Sequence, residues 1–279
     1  MGPTPAPADA ASAGPAAPGL RGASLLLVGH GSRDPRSPAG LRVLTDAVAV
    51  AAAEVDSAGA DAAIGVEGRA GIDAGLAVEL AFLELSDPLL EDVLARLTGE
   101  VVVVPLLLAS AFHARSDLPE RLGAVADSRD DVTFRRADVL GPAPELDAAV
   151  AHRGRGLLDA GCDALVLLGT GSSHEAANAE VDAVAERVAA DLGADVRAAF
   201  VTRGRELAVA VAELRAGGAA RVGLVPWFLA PGLLLDSGLA TAADLGVDDV
   251  ADTLAGEPSL ARLVLARAAA AAITPASGP

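Results

Sequence analysis

Two histidines and one glutamate in the first half of the chain carry side chains suited to chemistry at the ends of strands. His30 follows the apolar run SLLLVG (24–29), Glu84 lies at the end of AVELAFLEL (77–85), and His113 follows VVVVPLLLASAF (101–112). Two imidazoles and a carboxylate form a donor set for a borderline divalent ion such as cobalt, iron, nickel or zinc. The same groups can take up protons near neutral pH, because histidine titrates there. Each alone has a plainer reading: a turn histidine bonded locally, a glutamate opening a helix, a packed surface histidine. Their recurrence at three successive strand ends favours a shared site.

The elements around them must bring those ends together. Continuous apolar runs bounded by turn residues read as strands buried on both faces. The spacing predicts a helix over 40–58, a helix over 86–98 with Ser86 or Asp87 as N-cap, and a helix from about Pro119 to Val125. It also predicts a fourth strand over 132–140 and a helix over 145–160. Strands alternating with helices imply an α/β fold with a parallel sheet, and such sheets place ligands at the carboxyl ends of their strands.

From residue 164 the order repeats. ALVLLGTGSS echoes SLLLVGHGSR, VRAAFVTRG (196–204) echoes AVELAFLEL, and RVGLVPWFLAPGLLLDSG echoes EVVVVPLLLASAFHARSD. Helices are predicted over 175–192 and 206–216. The fold class is therefore α/β, two similar Rossmann- or flavodoxin-like domains from an internal duplication. The expected division is a Pro/Ala-rich disordered tail over 1–22, a first domain over 23–152 and a second over 162–270. In the second half Thr170, Thr202 and Leu234 stand where the first has His30, Glu84 and His113. The scaffold words survive and the candidate ligands do not, which implies one active and one degenerate half. His152 and His174, in polar helical context, read as surface residues. From His30 to Phe82 is 52 residues and from Thr170 to Phe200 is 30. The extra length falls in the Gly-rich stretch 59–78, read as an inserted loop at the site edge.

Composition narrows the classes further. The formal net charge is -17, which argues against a generic binder of nucleic acid or anionic membrane. All 21 basic residues are arginine. Without lysine there is no Schiff-base chemistry and no P-loop. Cys162 is the single cysteine, so no disulfide framework or cysteine zinc site is expected, and it reads as a small buried residue. No apolar run reaches the ~20 residues of a membrane helix, and a cytoplasmic protein is expected.

The motifs VGHGSR (28–33), AFLEL (81–85) and VPLLLASAFHARSDLP (104–119) together resemble the sirohydrochlorin chelatases, the small metal-inserting class II chelatases. The likeness is strongest over about 24–155, and the duplicated layout is similar to two-domain members. The resemblance implies that His30, His113 and Glu84 surround the incoming metal and that Fe²⁺ or Co²⁺ is inserted into sirohydrochlorin, for sirohaem or cobalamin synthesis. No organic cofactor is implied. The expected partners are sirohydrochlorin and a divalent metal ion, with no nucleic acid and no membrane. For that substrate, Ser32 and Ser110 are candidate hydrogen-bonding groups. Arg33, Arg36 and Arg115 are candidate grips on its carboxylates, since guanidinium pairs with carboxylate bidentately. Two other readings remain at this point: a non-catalytic tetrapyrrole or metal carrier, and a histidine-type phosphatase. The latter is disfavoured because Gly29, not arginine, precedes His30. The duplication favours a monomer.

Overall fold

The structure is a computed structural model. It describes residue 20 and residues 22–61, 76–109 and 112–273, and of 55–61 and 112–117 the backbone alone. Two four-stranded parallel sheets form from two copies of the same plan. The first contains β1 (Ser24–Gly29), β2 (Ala77–Phe82), β3 (Gly99–Pro105) and β4 (Val132–Arg136); its helices are α1 (Arg36–Asp61), α2 (Leu90–Leu94), α3 (Phe112–Ala126) and α4 (Pro144–Asp159). The second contains β5 (Ala164–Gly171), β6 (Asp195–Arg203), β7 (Val222–Pro226) and β8 (Asp249–Val250). Its helices are α5 (Glu175–Leu192), α6 (Leu207–Ala216), α7 (Leu233–Asp244) and α8 (Pro258–Ile273). The strand orders are β2-β1-β3-β4 and β6-β5-β7-β8. The central pair β1/β3 is thus the point where the chain switches direction across the sheet, and its carboxyl edge opens a crevice.

The strands are apolar throughout because both faces are covered. Leu25 and Leu27 of β1 face one core while Leu26 and Val28 face another. In β5, Leu165 and Leu167 share the core of Leu25 and Leu27, whereas Val166 and Leu168 pack with α6 and α7 residues such as Leu207 and Leu235. One core therefore lies between the two sheets, filled by α1, α4, α5 and α8. Each fully buried leucine or valine there contributes roughly 1.5–3 kcal/mol.

The helices that end the halves are exchanged. Gly154 of α4 abuts Leu165, Leu192 and Val225, all in the second half. In return α8 packs on β3 and α1, and Arg267 of α8 donates to the carbonyls of Leu140 and Pro142 at 2.8 and 3.0 Å. A cut near 152–162 follows the repeat in sequence but divides this shared packing.

Several predicted boundaries move. The strand expected over 77–85 ends at Phe82, and the helix expected over 86–98 shrinks to Leu90–Leu94 with Leu89, not Ser86 or Asp87, as N-cap. The cause is an extended segment after β2: the Phe82 N–H donates to the Pro88 carbonyl at 3.0 Å and Phe82 bridges to Leu89. Conversely, α3 begins at Phe112 and runs through Pro119. Burial of Leu118 and Leu122, four residues apart, holds it despite the donor that the proline lacks. The fourth strand closes at Arg136. Residues 1–19, 21 and 62–75 lie outside the described residues, and with them most of the expected tail and Gly-rich loop.

Candidate active site

The crevice is built by strand register. β1 and β2 pair with Gly29 opposite Phe82. The ladder then continues one step further: the Leu83 N–H donates to the Gly29 carbonyl at 3.0 Å and the Glu84 N–H to the His30 carbonyl at 3.1 Å. His30 and Glu84 are thereby side by side, with His30 Nε2 3.3 Å from Glu84 Oε1 and each side chain just over half exposed, 55% and 54%. The pair sits in water at the sheet edge, so it is open to an incoming ion.

Glycine is required beside it. Gly31 has φ 98, and a Cβ placed there would lie 1.7 Å from the Glu84 carbonyl oxygen. Leu85, immediately after Glu84, holds φ 63, a strained value for a side-chain-bearing residue, and is exposed. The strain falls on the turn that presents Glu84.

The turn after His30 is tied on both sides. The Ser32 N–H donates to Ser86 Oγ at 3.0 Å, the Ser86 hydroxyl donates to the Ser32 carbonyl at 2.9 Å, and Ser32 Oγ accepts the Asp34 N–H at 3.1 Å. In the second half Asn178 does the work of Ser86, bonding the Ser172 N–H and carbonyl, while Ser172 Oγ accepts the His174 N–H. Ser32 is thus a turn-forming residue in a role that persists in the half without the histidines and glutamate. Ser86, a candidate helix cap by sequence, instead ties two strand-end loops together, a part that only the tertiary pairing reveals.

Arg36 is bonded to two carboxylates of the chain itself. Its backbone N–H and Nε both bond Asp34 Oδ1, at 3.0 and 3.1 Å, and Nη2 bonds Asp34 Oδ2. Its outer edge reaches Asp236 of α7, with Nη1 to Oδ1 at 3.2 Å and Nη2 to Oδ2. The guanidinium is engaged on both sides and is not open to a substrate carboxylate in this arrangement. These bonds hold the nearly buried Asp34 carboxyl below its ordinary 3.8 and push Arg36 upward. Arg33 is exposed in the same turn.

His113 and Arg115 lie in the first turn of α3, which starts seven residues beyond the end of β3. Val28 of β1 is level with Pro105 of β3, so the topology brings this turn to the edge that carries His30 and Glu84. Ser110 lies outside the described residues. Among the described side chains no third His, Cys, Asp or Glu completes the pair. Of the remaining histidines, His152 has an exposed ring bonded through Nδ1 to the buried Glu257 at 2.9 Å, and His174 is the exposed N-cap of α5.

The second half keeps the frame. Gly171, at φ 87, presses on the Arg203 carbonyl as Gly31 presses on that of Glu84. Thr202 Oγ1 donates to the Thr170 carbonyl at 2.7 Å where the first half has its imidazole and carboxylate. The two halves match one family profile, CbiX, over residues 24–156 and 164–271. The chain belongs to the CbiX family. Among characterised relatives it is 30% identical over 170 residues to the sirohydrochlorin ferrochelatase of Bacillus subtilis (strain 168), an alignment covering 58% of this chain and 56% of that one. The chain thus matches little more than half the length of that relative. SirB from Bacillus subtilis with Fe³⁺ superposes with a TM-score of 0.65 at 24% identity, covering 90% of this chain and 95% of that one. The cobalt complex of the sirohydrochlorin chelatase SirB from Bacillus subtilis subspecies spizizenii gives 0.64 at 22%, covering 90% and 96%. At these identities the structures establish the fold of this CbiX-family chain, a two-sheet chelatase-like architecture.

Proposed function

We propose that this chain is a sirohydrochlorin chelatase, inserting Fe²⁺ or Co²⁺ into the macrocycle. The observation that carries the reading is the His30–Glu84 pair, presented at the β1/β2 edge in the half that also carries His113 in the first turn of α3, against a second half with the same frame and none of the three. The family membership and the metal-bound relatives support it.

Insertion exchanges one divalent cation for two pyrrole N–H protons. An exposed imidazole–carboxylate pair suits both demands: it offers nitrogen and oxygen donors to a metal that must be released again, and it accepts protons near neutral pH. His30, Glu84 and His113 are assigned to hold the metal and take up protons. Arg33 and Arg115 flank them as grips for substrate carboxylates, with Ser32 and Ser110 as hydrogen-bonding groups. Leu233 and Leu234, exposed at the start of α7, offer the macrocycle an apolar wall from the second half. Among the described residues no helix is long and apolar enough to cross a membrane. We place the reaction in the cytoplasm, in a monomer whose site needs both halves.

The test is anaerobic insertion, followed by the absorbance change of sirohydrochlorin with Fe²⁺ or Co²⁺. The protein should accelerate the change over metal alone, and His113→Ala and His30→Ala should each reduce the acceleration by about 10²-fold or more, the usual scale of a lost proton-transfer group. Binding without acceleration would instead identify a carrier.

A further inference from the structure

The guanidinium of Arg36 has two carboxylate partners of different kinds. The inner one, Asp34, is 5% exposed, lies two residues away and engages Nε and Nη2; the outer one, Asp236, is 44% exposed and belongs to the other half of the molecule. The inner pairing fixes the plane of the guanidinium and leaves its outer edge to Asp236; Arg36 opens α1, directly after the loop that begins at His30. The loop before α7 lies against the start of α1: a Cβ on Gly40 would lie 2.6 Å from the Cβ of Ala230 and 3.4 Å from Pro231. Asp236 thus meets Arg36 where the two halves close on each other.

We propose that Asp236 is a built-in stand-in for a substrate carboxylate. It occupies the outer edge of Arg36 in the empty protein and yields it to a carboxylate of the arriving tetrapyrrole. The inference rests on the chelatase reading. Three features support an exchange over a permanent clasp. The Arg36–Asp236 pair is half in water, where ion pairs are weak and readily replaced. The swap is carboxylate for carboxylate, so no buried charge is left unpaired, and Asp34 stays bonded throughout. Asp236, once released, stays in the first turn of α7, where a negative charge is favoured by the helix dipole. For a chain of net charge -17 that must admit a polycarboxylate, a cation kept oriented by one carboxylate and screened by a removable second one is a workable solution.

Equilibrium binding of metal-free sirohydrochlorin, followed by absorbance titration, tests this on the full chain with four proteins: wild type, Asp236→Asn, Arg36→Gln and the double variant. Thermal unfolding establishes that each is folded. The expected result is a Kd about two- to fivefold lower for Asp236→Asn, the scale of one exposed ion pair, and a raised Kd for Arg36→Gln. The double variant should match Arg36→Gln, because the gain depends on the arginine. Unchanged or weakened binding in Asp236→Asn overturns the proposal and leaves a structural clasp. A gain that persists without Arg36 also overturns it, reducing Asp236 to a general repulsive charge. If the wild type inserts metal while Asp236→Asn binds no tighter, only this proposal fails. If no variant binds sirohydrochlorin, the chelatase reading fails and takes it along.

Discussion

Gly31→Ala is the most direct probe of how the strand ends make the site. Gly31 sits at φ 98, and an alanine Cβ would lie 1.7 Å from the Glu84 carbonyl oxygen and 2.9 Å from its carbon. Carbon and oxygen cannot approach within 3.0 Å, so the two strand ends must part by more than an ångström. The cost combines left-handed backbone strain of about 1–3 kcal/mol with loss of one backbone hydrogen bond, from the Glu84 N–H to the His30 carbonyl, of about 1 kcal/mol. A total of about 2–4 kcal/mol corresponds to a fall in Tm of roughly 5–15 °C for a chain of this size. Gly171→Ala is the matched control: its φ is 87 and its Cβ would lie 2.2 Å from the Arg203 carbonyl oxygen, so it strains the second half in the same way. Both variants should lose comparable stability by calorimetry. At a temperature where both are folded, Gly31→Ala should lose most of its metal-insertion rate, since His30 and Glu84 no longer meet at 3.3 Å, whereas Gly171→Ala should keep it. Equal losses of rate, or a folded Gly31→Ala with wild-type rate, would show that the pairing of these strand ends is not what the reaction depends on.

Two further outcomes follow from carboxylates paired with arginine. Glu257, 5% exposed, joins His152 on α4 to Arg153, whose Nε lies 2.7 Å from it, at the entry to α8, and Arg153 also has Asp252 at 3.7 Å and donates to the Thr253 carbonyl at 3.2 Å; Glu257→Ala should lower stability by about 1–3 kcal/mol in denaturant unfolding, the scale of a lost charge-assisted hydrogen bond, and no measurable loss would show that Asp252 and the Thr253 carbonyl suffice for Arg153. Asp34, Asp131 and Asp249 are each held below their ordinary 3.8 by a hydrogen-bonded arginine; folded values below the unfolded ones mean stability that is full above about pH 4 and drains away as pH falls through the lowered values, so Tm should drop steeply below pH 4, and an Asp34→Asn/Asp131→Asn/Asp249→Asn variant should show a flatter acid limb.

Much of the site was legible because it depends on local pattern. Alternating apolar runs and helices define a parallel sheet, and a residue just past a buried strand must emerge at its carboxyl edge; this alone places His30, Glu84 and the turn holding His113. The repeat supplied the contrast, since Thr170, Thr202 and Leu234 occupy the same frame. The matched glycines 31 and 171 show why the GxGS word recurs in the half that lacks the histidines and glutamate: it serves the close approach of two backbones.

What the sequence could not display was anything settled by partners distant in the chain. Arg36 reads as an available cation until α7, two hundred residues later, brings Asp236 to it. Ser86 reads as a helix cap until the loop after β1 reaches it. The exchange of α4 and α8 between the halves is hidden for a similar reason: their apolar faces are alike, and nothing in a periodic pattern says which sheet each will cover. Periodicity and turn chemistry are properties of neighbouring residues, so the chain alone determined its repeated strands, helices and the histidines and glutamate at the strand ends. Which carboxylate meets which guanidinium, and which helix closes which core, depends on register and packing across the whole molecule, and only the tertiary structure decided it.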